Sequence, residues 1–142
     1  MKDIPEGFHL VQRPRPNPFN ELVGPFYVRR EGRAVSLGIR LEERHTNSRG
    51  ICHGGFLATM ADLALGYACA AVGRDAGGHA PFVTISLTLD YAGSARPGDW
   101  LHSEVEVQKT GSRIAFANCY LVANGVRVVR ASAIFAMAAK PK

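Results

Sequence analysis

The run Gly54-Gly-Phe-Leu-Ala-Thr-Met-Ala-Asp62-Leu-Ala-Leu-Gly-Tyr-Ala-Cys-Ala-Ala-Val72 is apolar on nearly every side and carries one charged residue. Its length and composition raise the question of a membrane span, but Asp62 sits at its centre, where insertion costs roughly 3 kcal/mol. Everything after it reads as strands, so the run is expected to be the buried core helix of a soluble protein.

Working outward, Phe26 begins a strand that turns at Glu31-Gly32 and returns over Ala34 to Glu42, and a polar loop, Glu43 to Cys52, leads into the helix. Gly73 to Gly78 breaks the pattern. Val83, Ile85, Leu87, Leu89 and Tyr91 then alternate with Thr84, Ser86, Thr88 and Asp90, which predicts a strand with one apolar and one polar face. Pro97-Gly98 marks a turn, Trp100 to Gln108 alternates again, Lys109 to Ser112 turns, and Arg113 to Ala123 forms the next strand. Asn124-Gly125 is a strong hairpin signal leading into Val126 to Met137. The predicted order is β-β-α-β-β-β-β, a hairpin, one helix and a four-strand meander. A lone helix apolar all round must be wrapped, so the fold class is α+β, with a curled antiparallel sheet of about six strands around one long helix.

Pro5, Pro14, Pro16, Pro18 and Pro25 deny regular structure to residues 1–24, leaving an irregular lead-in with at most a helical turn around Phe19 to Leu22 and little expected chemistry. Residues 25–139 then form one domain. The size agrees: 142 residues, 46% hydrophobic and 20% charged, suit a single globular domain and exclude a charge-dominated disordered chain or a multi-span membrane protein. The net charge is +5, but the basic residues are scattered from Lys2 to Lys142 without a polybasic block, so nucleic acid is not the expected partner. Arginine suits a phosphate-bearing small molecule equally well. Three cysteines, an odd number, and an N-terminus without an apolar signal region point to the cytoplasm.

The chemistry concentrates between His45 and Asp62. Gly54 and Gly55 at the start of the helix provide either a tight entry or a place where a ligand meets the free N–H groups of the first turn, a site for negative charge. Asp62 is the only charged residue between His53 and Arg74. A carboxylate in so apolar a helix reads as a general base or nucleophile in a cleft, or else as part of a solvated face or an ion pair. Asn47, in the polar loop, and His53, directly before the glycines, either face the helix start or, each taken alone, serve as hydrogen-bonding loop residues. Cys52 beside His53 is a poor thiol–base pair, because neighbouring side chains in extended backbone diverge. His45, Cys52 and His53 show no metal-ligand spacing, and no metal or redox cofactor is expected.

Asn47, His53-Gly54-Gly55 and Asp62, six and then nine residues apart, resemble the motif of the hotdog-fold acyl-CoA thioesterases of the phenylacetate-degradation (PaaI-like) branch. The resemblance spans Val35 to Met137. It implies that Asp62 activates water or attacks the thioester carbonyl, that the Gly54 N–H polarises that carbonyl, and that His53 and Asn47 hold and assist the site. Thr84 stands where close relatives carry serine. Gly55, Gly111, Arg113 and Arg74 are the substrate-binding candidates, the two arginines for the phosphates of coenzyme A. The resemblance further implies a homodimer with shared sites, Asp62 and Thr84 from one chain and Asn47, His53 and Gly54 from the other, and a dimer of dimers beyond it. Aryl-acetyl, medium-chain and long-chain acyl groups all fit. The rival readings are a hotdog hydratase or dehydratase, whose Pro-rich His motif is missing, and a non-catalytic acyl-CoA binder or sensor, which would gain nothing from a carboxylate beside an anionic ligand.

Overall fold

In the computed structural model, which describes residues 3–13, 15–75 and 82–137 with the side chains of Arg74 and Asp75 left aside, short strands and turns precede a single long helix. The elements are β1 (His9–Leu10), α1 (Pro18–Val23), β2 (Tyr27–Glu31), β3 (Ala34–Arg40), a 3-10 turn at Glu43–His45, α2 (Gly54–Asp75), β4 (Phe82–Tyr91), β5 (Trp100–Thr110), β6 (Ile114–Ala123) and β7 (Val126–Met137). They build one antiparallel seven-stranded sheet in the order β1-β2-β3-β5-β6-β7-β4. The Asn124-Gly125 turn is as expected, both residues taking positive φ, 52° and 75°.

Three expectations need correction. The four-strand meander is a meander of three, β5 to β7, because β4 crosses over to pair with β7 and forms the sheet edge. The sheet gains a seventh, two-residue strand from the lead-in. Helix α2 runs through Gly73 to Asp75, since one glycine costs a helix only about 1 kcal/mol.

Helix α2 buries Phe56, Leu57, Met60, Ala61, Ala64, Leu65 and Cys69 against Leu37, Ile39, Leu101, Leu121 and Phe135 of the sheet. Each large side chain in that layer contributes about 1.5–3 kcal/mol. The helix is not wrapped all round, however. Thr59, Asp62, Leu63, Gly66, Tyr67 and Ala70, spaced three and four apart, form a second stripe that is only half-buried, because the sheet ends at β4. Long and apolar enough on its own to cross a membrane, this helix spends one face on the core of a sheet instead.

Strand β4 departs from strict alternation. Its pairing steps from Thr84↔Phe135 to Ser86↔Ile134, which leaves Ile85 as an extra, bulged residue. Directly opposite residues share a face, so Thr84 joins buried Phe135, and Leu87 joins buried Ala133, on the inner side. Val83 and Ile85, expected on the apolar inner face, are exposed (54% and 58%).

The lead-in is tied down rather than loose. Arg44 donates to the carbonyls of Leu22 and Gly24, and His45 Nε2 lies 2.6 Å from the carbonyl of Val23, so the end of α1 is satisfied by the loop before α2. His45 is buried, stacks on Phe56 with ring centroids 4.3 Å apart, and accepts the Glu42 N–H at Nδ1.

Candidate active site

Asp62 projects from the half-buried stripe of α2 into a cleft of about 640 Å³. The Thr84 hydroxyl donates to Asp62 Oδ1 at 2.6 Å, a charge-assisted contact that aims the carboxylate. Leu63, Gly66, Tyr67, Phe82 and Phe135 supply apolar walls. Gln12, Arg13, Arg15 and Asn17 supply a polar one, which corrects the expectation of little chemistry in the lead-in.

The start of α2 forms a second, separate group. His53 is its N-cap: its carbonyl accepts the Leu57 N–H at 3.0 Å, and its ring Nδ1 accepts the Gly55 N–H at 2.8 Å. Glycine at 55 leaves room for that ring, since a Cβ there would lie 2.9 Å from His53 Nδ1 and the exposed ring would have to shift. At Gly54 a Cβ would meet only the Tyr91 ring, at an ordinary 3.6 Å. The Tyr91 hydroxyl donates to the Gly54 carbonyl at 2.9 Å, while the Gly54 N–H has no acceptor among the described residues. It is therefore available to an incoming oxygen.

Asn47 makes no hydrogen bond to His53. Its side-chain oxygen accepts the Arg49 N–H at 2.9 Å and the Ile51 N–H at 3.4 Å, closing the tight loop that the Thr46↔Cys52 bridge then joins to the helix start. Its position is thereby fixed, half-buried, at the loop's near end.

Eight residues separate Gly54 from Asp62, about 12 Å along the helix at 1.5 Å per residue. Within one chain the two groups cannot act on one carbonyl. Strand β4 touches both, through Thr84 at Asp62 and Tyr91 at Gly54.

The remaining candidates are spread out. Arg113 is exposed beside the Gly111 turn, and its carbonyl accepts the Met137 N–H at 2.8 Å, which places it at the end of the sheet where Phe82 begins β4. Arg74 lies in the last turn of α2, its side chain outside the described residues. The thiols are inert. Burial pushes Cys52 and Cys119 up to about 12 and Cys69 up to about 11, so none is a thiolate nucleophile at neutral pH. No group of three metal-ligating side chains occurs among the described residues. A further hollow of about 680 Å³ opens on the outer face of the sheet, among Glu104, Glu106, Tyr120 and Arg130, and includes neither group of site residues. Sequence reading missed Tyr67, Tyr91 and Arg13, whose roles come from contacts across 37 to 54 residues of chain that no local pattern announces.

A curled antiparallel sheet packed on one long helix is the hotdog architecture of the thioesterase relatives. The chain belongs to the thioesterase superfamily, whose family description it matches over residues 49–129. A Pseudomonas aeruginosa protein named "Putative esterase PA0474" is 41% identical over 136 residues, covering 95% of this chain and 98% of that one. Acyl-coenzyme A thioesterase 13 of Mus musculus is 31% identical over 80 residues, 56% of this chain and 54% of its own. The phenylacetic acid degradation protein PaaI of Thermus thermophilus, solved as a point mutant, shares the fold with a TM-score of 0.73 at 23% identity, covering 86% of this chain and 100% of that one. The protein is a thioester hydrolase.

Proposed function

We propose that the protein hydrolyses acyl-CoA thioesters at a site shared between two chains, with Asp62 and Thr84 from one and Gly54, His53 and Asn47 from the other. The observation that carries this reading is the Thr84–Asp62 hydrogen bond of 2.6 Å in a cleft, set about 12 Å along the helix from the unpaired Gly54 N–H. A two-fold axis near the middle of β4 resolves that separation. Two copies of this edge strand paired antiparallel continue the sheet and satisfy its free backbone groups. They also turn the Thr84 end of one strand toward the Tyr91 end of the other, which brings Asp62 toward the partner's Gly54. The half-buried stripe from Thr59 to Ala70 is covered in the same step.

Thioester hydrolysis passes through a tetrahedral oxyanion, which the Gly54 N–H and the positive end of α2 stabilise. In one route Asp62 takes a proton from water, the hydroxide adds to the carbonyl carbon, the C–S bond breaks, and the proton goes to the departing thiolate. In the other, an Asp62 oxygen adds to the carbonyl carbon and the C–S bond breaks to release the thiolate; water then cleaves the resulting anhydride to the free acid and the Asp62 carboxylate, and its released proton goes to the thiolate. His53 holds the donor turn, and Asn47 fixes the loop around it. Gly55 keeps the His53 cap in place, while Gly111 shapes the turn that presents Arg113. Arg113 and Arg74 bind phosphates of coenzyme A, and no cofactor takes part. The acyl group is aryl-acetyl or a medium or long chain, the assembly is a dimer of dimers, and the compartment is the cytoplasm.

Release of coenzyme A thiol from an acyl-CoA panel tests the activity. Complementation tests the shared site. Asp62→Ala and His53→Ala proteins, each inactive alone, are unfolded, mixed and refolded together. With random pairing about half the dimers are mixed and one of their two sites carries neither lesion, so roughly a quarter of wild-type activity returns. No recovery from confirmed mixed dimers would put both residues in one chain's site.

A further inference from the structure

The lead-in crosses the cleft and leaves cationic groups inside it. Arg13 Nε donates to the Tyr67 hydroxyl at 2.6 Å, and its guanidinium carbon sits 4.3 Å from the centre of the Tyr67 ring. That contact occupies one edge of the guanidinium. Its terminal nitrogens, and the whole of Arg15, have no partner among the described residues. Both arginines line the cleft that holds Asp62 and Thr84. Tyr67 lies five residues beyond Asp62, about 7.5 Å further along the helix. Between them the walls are apolar: Leu63, Gly66, Phe82 and Phe135.

A thioester held at Asp62 therefore sends one of its two arms along an apolar trough that ends at a docked, half-engaged guanidinium. Both arginines are solvent-exposed, so an uncharged alkyl end would offer their donors nothing in place of water, whereas an oxyanion engages them bidentately. It also balances the cleft, which carries two guanidinium groups against one carboxylate. We infer that Arg13, oriented by Tyr67, is a specificity-determining residue that binds an oxyanion of the substrate. This rests on the thioesterase reading of the Asp62 cleft. Two groups share that chemistry, a carboxylate at the far end of the acyl chain and a phosphate of coenzyme A.

Binding rather than turnover tests it, by calorimetry on the Asp62→Asn protein, with hexanoyl-CoA, adipyl-CoA and the corresponding pantetheine thioesters as ligands. Adding Arg13→Gln is expected to weaken adipyl-CoA about tenfold, and Tyr67→Phe, which keeps the ring but removes the acceptor of Arg13, about threefold. If the loss follows the adipyl group in both thioester series, the oxyanion is the acyl carboxylate. If it follows the coenzyme A in both acyl series, the oxyanion is a phosphate. An unchanged affinity for all four ligands, an equal loss for all four including hexanoyl-pantetheine, or no binding at all would overturn the inference. Ligand binding with this pattern by a wild-type protein that releases no thiol would leave Arg13's role standing and overturn the hydrolytic reading alone.

Discussion

The two ends of helix α2 are built by different kinds of interaction. At its start the organisation is local: His53 caps the helix through its own ring, Gly55 makes room for that ring, and the Asn47 loop closes on itself within five residues. Two turns further on, Asp62 is held by a hydroxyl 22 residues away on an edge strand, and its cleft is walled by a segment some 50 residues before it. Local organisation survives most distant changes, whereas the Asp62 end depends on how three separate parts of the chain come together. The start should therefore respond to substitution in stability as well as in rate, and the middle in rate alone.

The largest effect expected is at the middle. Asp62→Asn is nearly isosteric, keeps the Thr84 contact and removes the base, so kcat falls at least about a hundredfold while the melting temperature holds. Activity within a few-fold of wild type would break the assignment. Thr84→Val removes one hydrogen bond to a charged group, worth about 1.5 kcal/mol, and kcat should fall about tenfold. Thr84→Ser retains the hydroxyl and should stay close to wild type, and an equal loss in both would mean that the methyl group's packing matters instead.

At the start of the helix a stability cost should join the loss of activity. Both His53→Ala, which deletes the cap, and Gly55→Ala, which drives the ring off it, should cost about 1 kcal/mol in denaturant unfolding. A cost in His53→Ala alone would show that the ring keeps its place despite the added Cβ. The smallest effect is titration. Burial holds His45 below the ordinary histidine value, against the pull of its bond to Val23, and burial likewise lowers His102. A folded-state pKa below the unfolded one, about 6.5, means that the unfolded chain takes up the proton first as pH falls. The stability these groups contribute is complete above about pH 6.5 and is lost progressively below it. Melting temperatures between about pH 8 and 5 should decline, and His45→Gln should flatten that decline to the part that His102 causes. A rise toward acid would reverse the argument.

By itself the sequence determined the things that depend on neighbours in the chain. Asn124-Gly125 dictates its turn because only a few residues tolerate two successive positive φ angles. The apolar run after Gly54 dictates a helix, and its solitary Asp62 marks the candidate site, because a charge in such surroundings needs a reason. The spacing of Asn47, His53, Gly54 and Asp62 was enough to indicate the family. Tertiary structure alone decided which side of β4 faces the helix. Period-2 reading puts Thr84 with Ser86, Thr88 and Asp90 on the outer face, and one bulged residue, Ile85, reverses that for everything before it. It also decided that β4 is an edge strand beside β7, that one stripe of α2 stays half-open, and that Arg13 lies across the cleft on Tyr67. A bulge or a docking contact is settled by packing free energies summed over residues far apart in the chain, and no local pattern records that sum.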